Sequence, residues 1–456
     1  MIRTHRGIDT VSGDIADVQA GSVGYGELAL LCNPNGEQSL AQVVRIDGHR
    51  VSLQVFAGTR GLSVDASVRF LGRPMQLRVS EQLLGRVFDG SGRPRDGKPE
   101  LSEGAPVELA GPSVNPVRRV LPRRFIETGI PMIDVFNPLV ESQKLPIFSE
   151  AGEPYAQLLA RIGLQAQADV IVFGGIGLPF DEAMFFQQTF EQGGVTHRTV
   201  MFVNTAADPV VERLLVPDLA LAAAESMALQ GRRVLVLLTD MTAFADALKE
   251  IAVSMEQIPS NLGFPGSLYS DLAARYEKAV DLPGAGSITI LGVTTMPGGD
   301  VTHPVPDNTG YITEGQYYLT EGRISPFGSL SRLKQLVVGT ATREDHGPLM
   351  NAMIRLYAKA REAKKKVSMG FARTESDTKH LRYGELFEAR FMDLEVELPL
   401  KSALDLGWQT LAECYEPQEV GIKQQVLDAR WPQKVEEVEE VEEAEEVEEF
   451  EEVSDG

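Results

Sequence analysis

The chain has 456 residues, 43% of them hydrophobic and 24% charged, enough for two or three domains around a large buried core. Its net charge is −22, of which −13 lies in Val435–Gly456, and the mildly acidic remainder argues against a nucleic-acid surface. Six histidines without metal-ligand spacing argue against a zinc-type site, and two distant cysteines, Cys32 and Cys414, form no disulfide framework and point to a reducing cytosol. Neither an apolar run of about 20 residues nor a signal-peptide core appears, so any membrane role comes through partners.

Residues 1–75 alternate in short segments, and "QVVRIDGHRVSLQVF" turns around Asp47-Gly48, which predicts a hairpin within a small β-barrel. Residues 76–345 alternate apolar strands with helices. The predicted strands are 144–148, 169–177, 199–206, 232–241 and 286–296, with helical spacing between them, notably over 210–230. Long β-branched runs separated by helices predict a mainly parallel sheet covered on both faces. Residues 346–432 carry helical spacing and predict a helical bundle. The fold class is thus α/β multidomain. The remaining 433–456 repeats "VEE" every three residues, which builds no stripe on a 3.6-residue helix and reads as a disordered acidic tail.

"IFSEAGEPYAQLLARIG" (147–163) has the outline of a phosphate-binding loop without its chemistry. The motif G-x-x-x-x-G-K-[ST] needs backbone amides around the phosphates, a Lys on the β/γ-phosphates and a hydroxyl on Mg²⁺. Here Ser149 and Pro154 replace the glycines, Tyr155 the Lys and Ala156 the hydroxyl residue, with Gly152 between them. "GRPRDGK" (92–98) matches the pattern by letters, but Pro99 follows and no helix does, so it reads as a connecting turn. Asp240 ends an apolar strand as a Walker B carboxylate would, or serves only a capping role, with Thr242 available to cap the next helix. After the strand 169–177, Leu178 and Pro179 stand where a hydrolytic carboxylate is needed, and Asp181 and Glu182 suit the first turn of the following helix. Arg332, in "GSLSRLKQL", is a solvated surface residue or an arginine finger acting on a transferring phosphoryl group.

Seven stretches, in order, resemble one family: "TGIPMIDVFNPLVESQKLPIFSEAG" (128–152), "VLLTDMTAFADALKEI" (236–251), "GFPGSLYSDLAARYEKA" (263–279), "TMPGGDVTHPVPDNTGYITEGQ" (295–316), "GSLSRL" (328–333), "TREDH" (342–346) and "LDLGW" (404–408). The family is the non-catalytic B subunit of V/A-type rotary ATPases, in its bacterial form. "GRVFDGSGRP" (85–94) extends the match. The resemblance implies three B subunits alternating with three catalytic A subunits around a central stalk, with peripheral stalks outside and the whole peripheral on the cytoplasmic face of the cell membrane. It further implies no cofactor or metal of the chain's own, Mg-ATP at the interface with the A subunit, and a finger role in trans for Arg332. Two departures stand out: Ser260, Asn261 and Leu262 where the family commonly has two arginines, and "ESQK" (141–144) for Arg-Gly-Gln-Lys. They weigh against an inherited nucleotide contact at the non-catalytic interface. F-type and secretion ATPase subunits keep the complete phosphate loop and fit less well; a non-enzymatic scaffold with an interaction tail is the alternative from another class.

Overall fold

The computed structural model describes residues 3–109, 117 and 119–432; the acidic tail lies outside them. The N-terminal β-barrel is built from β1 (Arg3–Arg6), β2 (Thr10–Ser12), β3 (Ile15–Gln19), β4 (Leu28–Cys32), β5 (Gln38–Asp47), β6 (Arg50–Val55) and β7 (Ser67–Phe70), in the order β1-β7-β4-β5-β6-β3-β2. Its two outer strands are consecutive in the chain, so one strand broken at Gly7 (φ +89°) joins both edges. The β5–β6 turn falls one residue later than expected. Asp47 pairs with Arg50, and the two-residue loop is Gly48-His49 with glycine first.

A ribbon of β8 (Gln76–Val79) and β10 (Ala105–Glu108) flanks β9 (Arg86–Asp89), which joins the central sheet; a second small ribbon pairs β11 (Phe125–Ile126) with β12 (Leu139–Val140). The central sheet is completed by β13 (Lys144–Ser149), β14 (Val170–Leu178), β15 (Thr199–Thr205), β16 (Arg233–Leu238), β18 (Ser287–Thr295) and β19 (Gly315–Thr320), all parallel, in the order β9-β15-β14-β16-β18-β13-β19. Three two-residue strands run antiparallel at its margins: β17 (Val280–Asp281) on β18, and β20 (Arg323–Ile324) and β21 (Leu330–Ser331) on β19.

The crossovers are α1 (Tyr155–Gln165), α2 (Phe180–Gln192), α3 (Val210–Leu229), α4 (Met241–Ser254), α5 (Leu268–Tyr276) and α6 (Pro304–Ile312). Both faces of the sheet are buried, which explains the continuous apolar strands. Ile171, Phe173, Leu235 and Leu237 face one core with α1 and α2; Val170, Val172, Val234 and Val236 face another with α3 and α4. The first core continues into the C-terminal helical bundle of α7 (His346–Ser368), α8 (Glu375–Phe387), α9 (Leu400–Cys414) and α10 (Gln424–Arg430).

The "TREDH" and "LDLGW" stretches meet in this bundle. Arg343 pairs with Asp345 at 2.6 Å and with Asp405, while Trp408 Nε1 donates to Asp345 at 2.6 Å. His346 Nε2 lies 2.7 Å from the carbonyl oxygen of Val135, tying the start of α7 to the central domain. No described helix is long and apolar enough to cross a membrane.

Candidate functional site at the two ends of strand β13

The loop at the carboxyl end of β13 is closed by the chain's own side chains. Ser149 is buried and its hydroxyl donates to the carbonyl of Glu150 at 3.1 Å. Gly152 (φ +86°) makes the turn, and Pro154 precedes α1 without a side-chain cap. Tyr155 occupies the Lys position and donates its hydroxyl to Glu182 at 2.6 Å. Burial, and then that carboxylate, raise the phenol's pKa, so it stays a neutral donor. Ala156 packs against the core. Glu153 completes the closure by accepting the amides of Glu321 (2.8 Å) and Gly322 (2.7 Å). A loop that would present cationic and amide donors to phosphates instead holds carboxylates already paired within the chain.

Asp181 and Glu182 lie in the first turn of α2, as expected, but the Tyr155–Glu182 bond was not foreseen. A signal existed in the two residues themselves, since a tyrosine in place of a lysine needs an acceptor once buried. Asp240 is the cap of α4, accepting the amide of Thr242 at 3.1 Å, whereas Thr242 itself donates to the carbonyl of Thr295. Thr242 is therefore not the cap, because α4 begins at Met241 and leaves it inside the first turn. Asp240 also accepts the hydroxyl of Thr295 at 2.9 Å, clamping the ends of β16 and β18. Its burial raises the carboxyl pKa against these hydrogen bonds. The "GRPRDGK" segment is a turn after β9, held by Arg95–Asp208 and Arg86–Asp96 pairs at 2.5 Å each.

Arg332 lies at the other end. Strand β21 pairs with β19 so that Ser331 faces Gly315, and the Arg332 amide donates to the Glu314 carbonyl at 2.9 Å. The Glu314 amide in turn donates to the carbonyl of Lys144, the first residue of β13. Arg332 is thus level with Lys144, five residues from Ser149, a separation of about 17 Å at 3.3 Å per residue. That is beyond the reach of an arginine side chain, so Arg332 does not serve the loop of its own chain.

Alternation along "SLSRL" explains its presentation. Ser329 and Ser331 point inward: Ser329 Oγ accepts the amide of Tyr318, and Ser331 Oγ donates to the Pro138 carbonyl (2.8 Å) and accepts from the Gln143 amide (3.1 Å). Leu330 and Arg332 point outward, and the Arg332 guanidinium has neither an ion pair nor a hydrogen bond among the described residues. Lys334 beyond it donates to the Phe136 carbonyl at 3.0 Å. Gly315 is required here. A Cβ on it would fall 2.0 Å from the Leu330 carbonyl oxygen, and its φ is +131°. Lys144, buried, pairs with Glu277 (2.9 Å) and Glu314 (3.0 Å), so "ESQK", "YEKA", "TEGQ" and "SLSRL" converge beneath one exposed cation.

The departures at 141–142 also have local explanations. Glu141 is buried but paired with Arg124 at 2.7 Å and faces Arg233, at the amino end rather than the loop end. Ser142 adopts φ +60°, a conformation that glycine takes without strain. Ser260, Asn261 and Leu262 form an exposed turn, with the Leu262 carbonyl accepting from Lys249.

Three family patterns match consecutively: the ATP synthase alpha/beta family β-barrel domain over residues 8–72, its nucleotide-binding domain over 129–325, and the C-terminal domain of V and A type ATP synthase over 337–431. The V-type ATP synthase beta chain of Borrelia turicatae is 59% identical over 434 residues, covering 95% of this chain and all of the relative. The chain belongs to this family, the B subunits of V/A-type rotary ATPases. The V-type ATP synthase beta chain 1 of Treponema pallidum is 60% identical over 95% of this chain and all of its own length, and that of Protochlamydia amoebophila is 57% identical over 93% of this chain and 97% of its own. Membership places the chain in a multi-subunit ATP synthase.

Proposed function

We propose that this chain is the non-catalytic, regulatory subunit of the ATPase head and supplies Arg332 as an arginine finger to Mg-ATP held by a neighbouring catalytic A subunit. The single observation that carries the reading is the exposed side chain of Arg332, on a backbone braced from beneath yet about 17 Å along β13 from its own loop. A cation on a braced backbone, unpaired among the described residues and out of reach of its own loop, has its use across a subunit boundary. There, charge develops on the oxygens around the transferring phosphoryl group, and a planar guanidinium meets two of them at once. Because β21 is fixed before the substrate arrives, only the arginine side chain, and not its backbone, has to reorganise when that charge appears.

The chain's own loop takes no phosphate in this reading, since Tyr155 and Glu182 fill the Lys position. Three copies of the chain alternate with three catalytic subunits in a six-membered ring, engage central and peripheral stalks, and sit on the cytoplasmic face of the membrane. ATP turnover there couples to H⁺ or Na⁺ movement through membrane subunits.

The test is turnover of the complex reconstituted with its catalytic partner, wild type against Arg332→Ala, with ring assembly checked by native mass. A fall of roughly 10³–10⁵ in an intact ring is expected. An equal rate would make this chain a scaffold.

A further inference from the structure

The carboxyl-terminal half of α7 carries a basic strip whose cations make no ion pair among the described residues. Arg361, Lys364 and Lys365 recur at i, i+3 and i+4 and so share one helix face. With Arg323 they line an open cleft of about 860 Å³, and an adjoining hollow of about 250 Å³ adds Arg373. Arg323 is paired with Glu388 at 3.1 Å. The other four cations are exposed and have no ion pair among the described residues, although Glu321, Glu362 and Glu385 also line the walls. Next to them Met369 and Phe371 are exposed apolar side chains, and Arg361 lies over the ring of Phe327.

The same chain contains the complementary chemistry. Val435–Gly456 carries 12 Glu and one Asp, with no Lys or Arg, and an apolar residue at every third position from Val435 to Val453. The C-terminal family pattern ends at residue 431, so this segment is an addition to the fold that the family shares. The described chain ends beside the amino end of α7, one helix length from the strip. Trp431 packs on Trp408 with ring centroids 6.3 Å apart, and Arg430 Nε lies 3.9 Å from Asp345, the residue before α7. From there to the basic strip is about 25 Å along the helix at 1.5 Å per residue. Roughly eight extended residues span that distance, leaving more than half of the acidic run to lie on the cations.

We propose that residues 435–456 fold back in cis onto the basic strip of α7, acid pairs on Arg361, Lys364, Lys365 and Arg373 and intervening apolar residues against Met369 and Phe371. Tethering places the tail at a millimolar effective concentration, so weak contacts suffice, and salt weakens them.

The test is carbodiimide cross-linking of the purified full chain, in which a tail carboxylate and a lysine amine join as an amide. Expected are cross-links from the tail to Lys364 and Lys365 within one chain, established by mixing isotopically light and heavy protein. Their yield should exceed that to the exposed Lys98 and Lys401 and fall at least five-fold at about 0.5 M salt, where the screening length is about 4 Å, and in the full-length double variant Arg361→Glu/Arg373→Glu, which keeps both lysines. Acetylation of Lys364 and Lys365 should rise several-fold when the tail glutamates are replaced by glutamine. Cross-links spread evenly over surface lysines, cross-links only between chains, or acetylation unchanged by the glutamine tail would overturn the proposal.

Discussion

The two ends of β13 belong to one strand, yet they have been treated in opposite ways. At the carboxyl end, Tyr155, Glu182 and Glu153 satisfy one another and neighbouring amides, so the loop is filled from within. At the amino end, the polar groups of Gln143, Ser331, Lys144 and Glu314 are spent bracing a backbone whose arginine is left unpaired among the described residues. The loop end is completed by local pairs. An end that presents a side chain outward needs long-range supports, here contributed by residues as far apart as Gln143 and Ser331.

The sharpest way to break this contrast is at Arg332 itself. Replacement by Ala should remove roughly 10³–10⁵ of turnover, and Arg332→Lys should recover only part of it, because an ammonium keeps the charge without the planar fork. Steady-state ATP hydrolysis by intact rings checks both; full activity in the Lys variant would mean that charge alone suffices.

Gly315→Ala tests the brace without touching the cation. The added methyl meets the Leu330 carbonyl in a conformation unfavourable to any Cβ, so β21 must shift. Turnover should fall by about 10²-fold, as expected for an ångström of misplacement, with about 1–3 kcal/mol lost in urea unfolding. A stability loss with undiminished turnover would show that the register of β21 does not matter to function.

Asp134 lies below the same end, accepting the amides of Thr128 and Gly129 and the hydroxyl of Thr128, and burial pushes its pKa up to about 7. The folded form therefore holds a proton that the unfolded chain, titrating near 3.8, has released. Its stabilising contribution is complete below pH 3.8 and is lost as pH rises through about 7, by up to about 1.4 kcal/mol per pH unit. Urea unfolding of the wild type should accordingly lose stability relative to Asp134→Asn between pH 5 and pH 7; parallel profiles would place the ionised carboxylate in the folded state.

Tyr155→Phe should do least. Losing the hydroxyl from Glu182 costs about 1 kcal/mol of stability and should leave turnover of the ring unchanged. A fall comparable to that of Arg332→Ala would erase the distinction between the two ends.

Much of this was legible in the chain. The strands at 144–148, 199–206 and 286–296 were readable because burial on both faces demands continuous apolar runs, and the helices between them because their spacing is local. The loss of lysine and hydroxyl at Tyr155 and Ala156 was equally plain. The two-residue strands β17, β20 and β21 were not, being too short to show a period. The hairpin turn was misplaced by one residue because Asp47-Gly48 and Gly48-His49 differ only in which strand claims Asp47, and pairing with Arg50 settled it.

The sequence by itself determined the types of the elements, the emptied chemistry of the phosphate loop and, through its motifs, the family. Only the tertiary structure decided that Arg332 and that loop lie at opposite ends of β13, that Tyr155 finds Glu182, and that Gly315 admits β21. The reason is that side-chain periodicity is a local property, whereas register between strands separated by more than a hundred residues is set by packing of the whole sheet against its two cores.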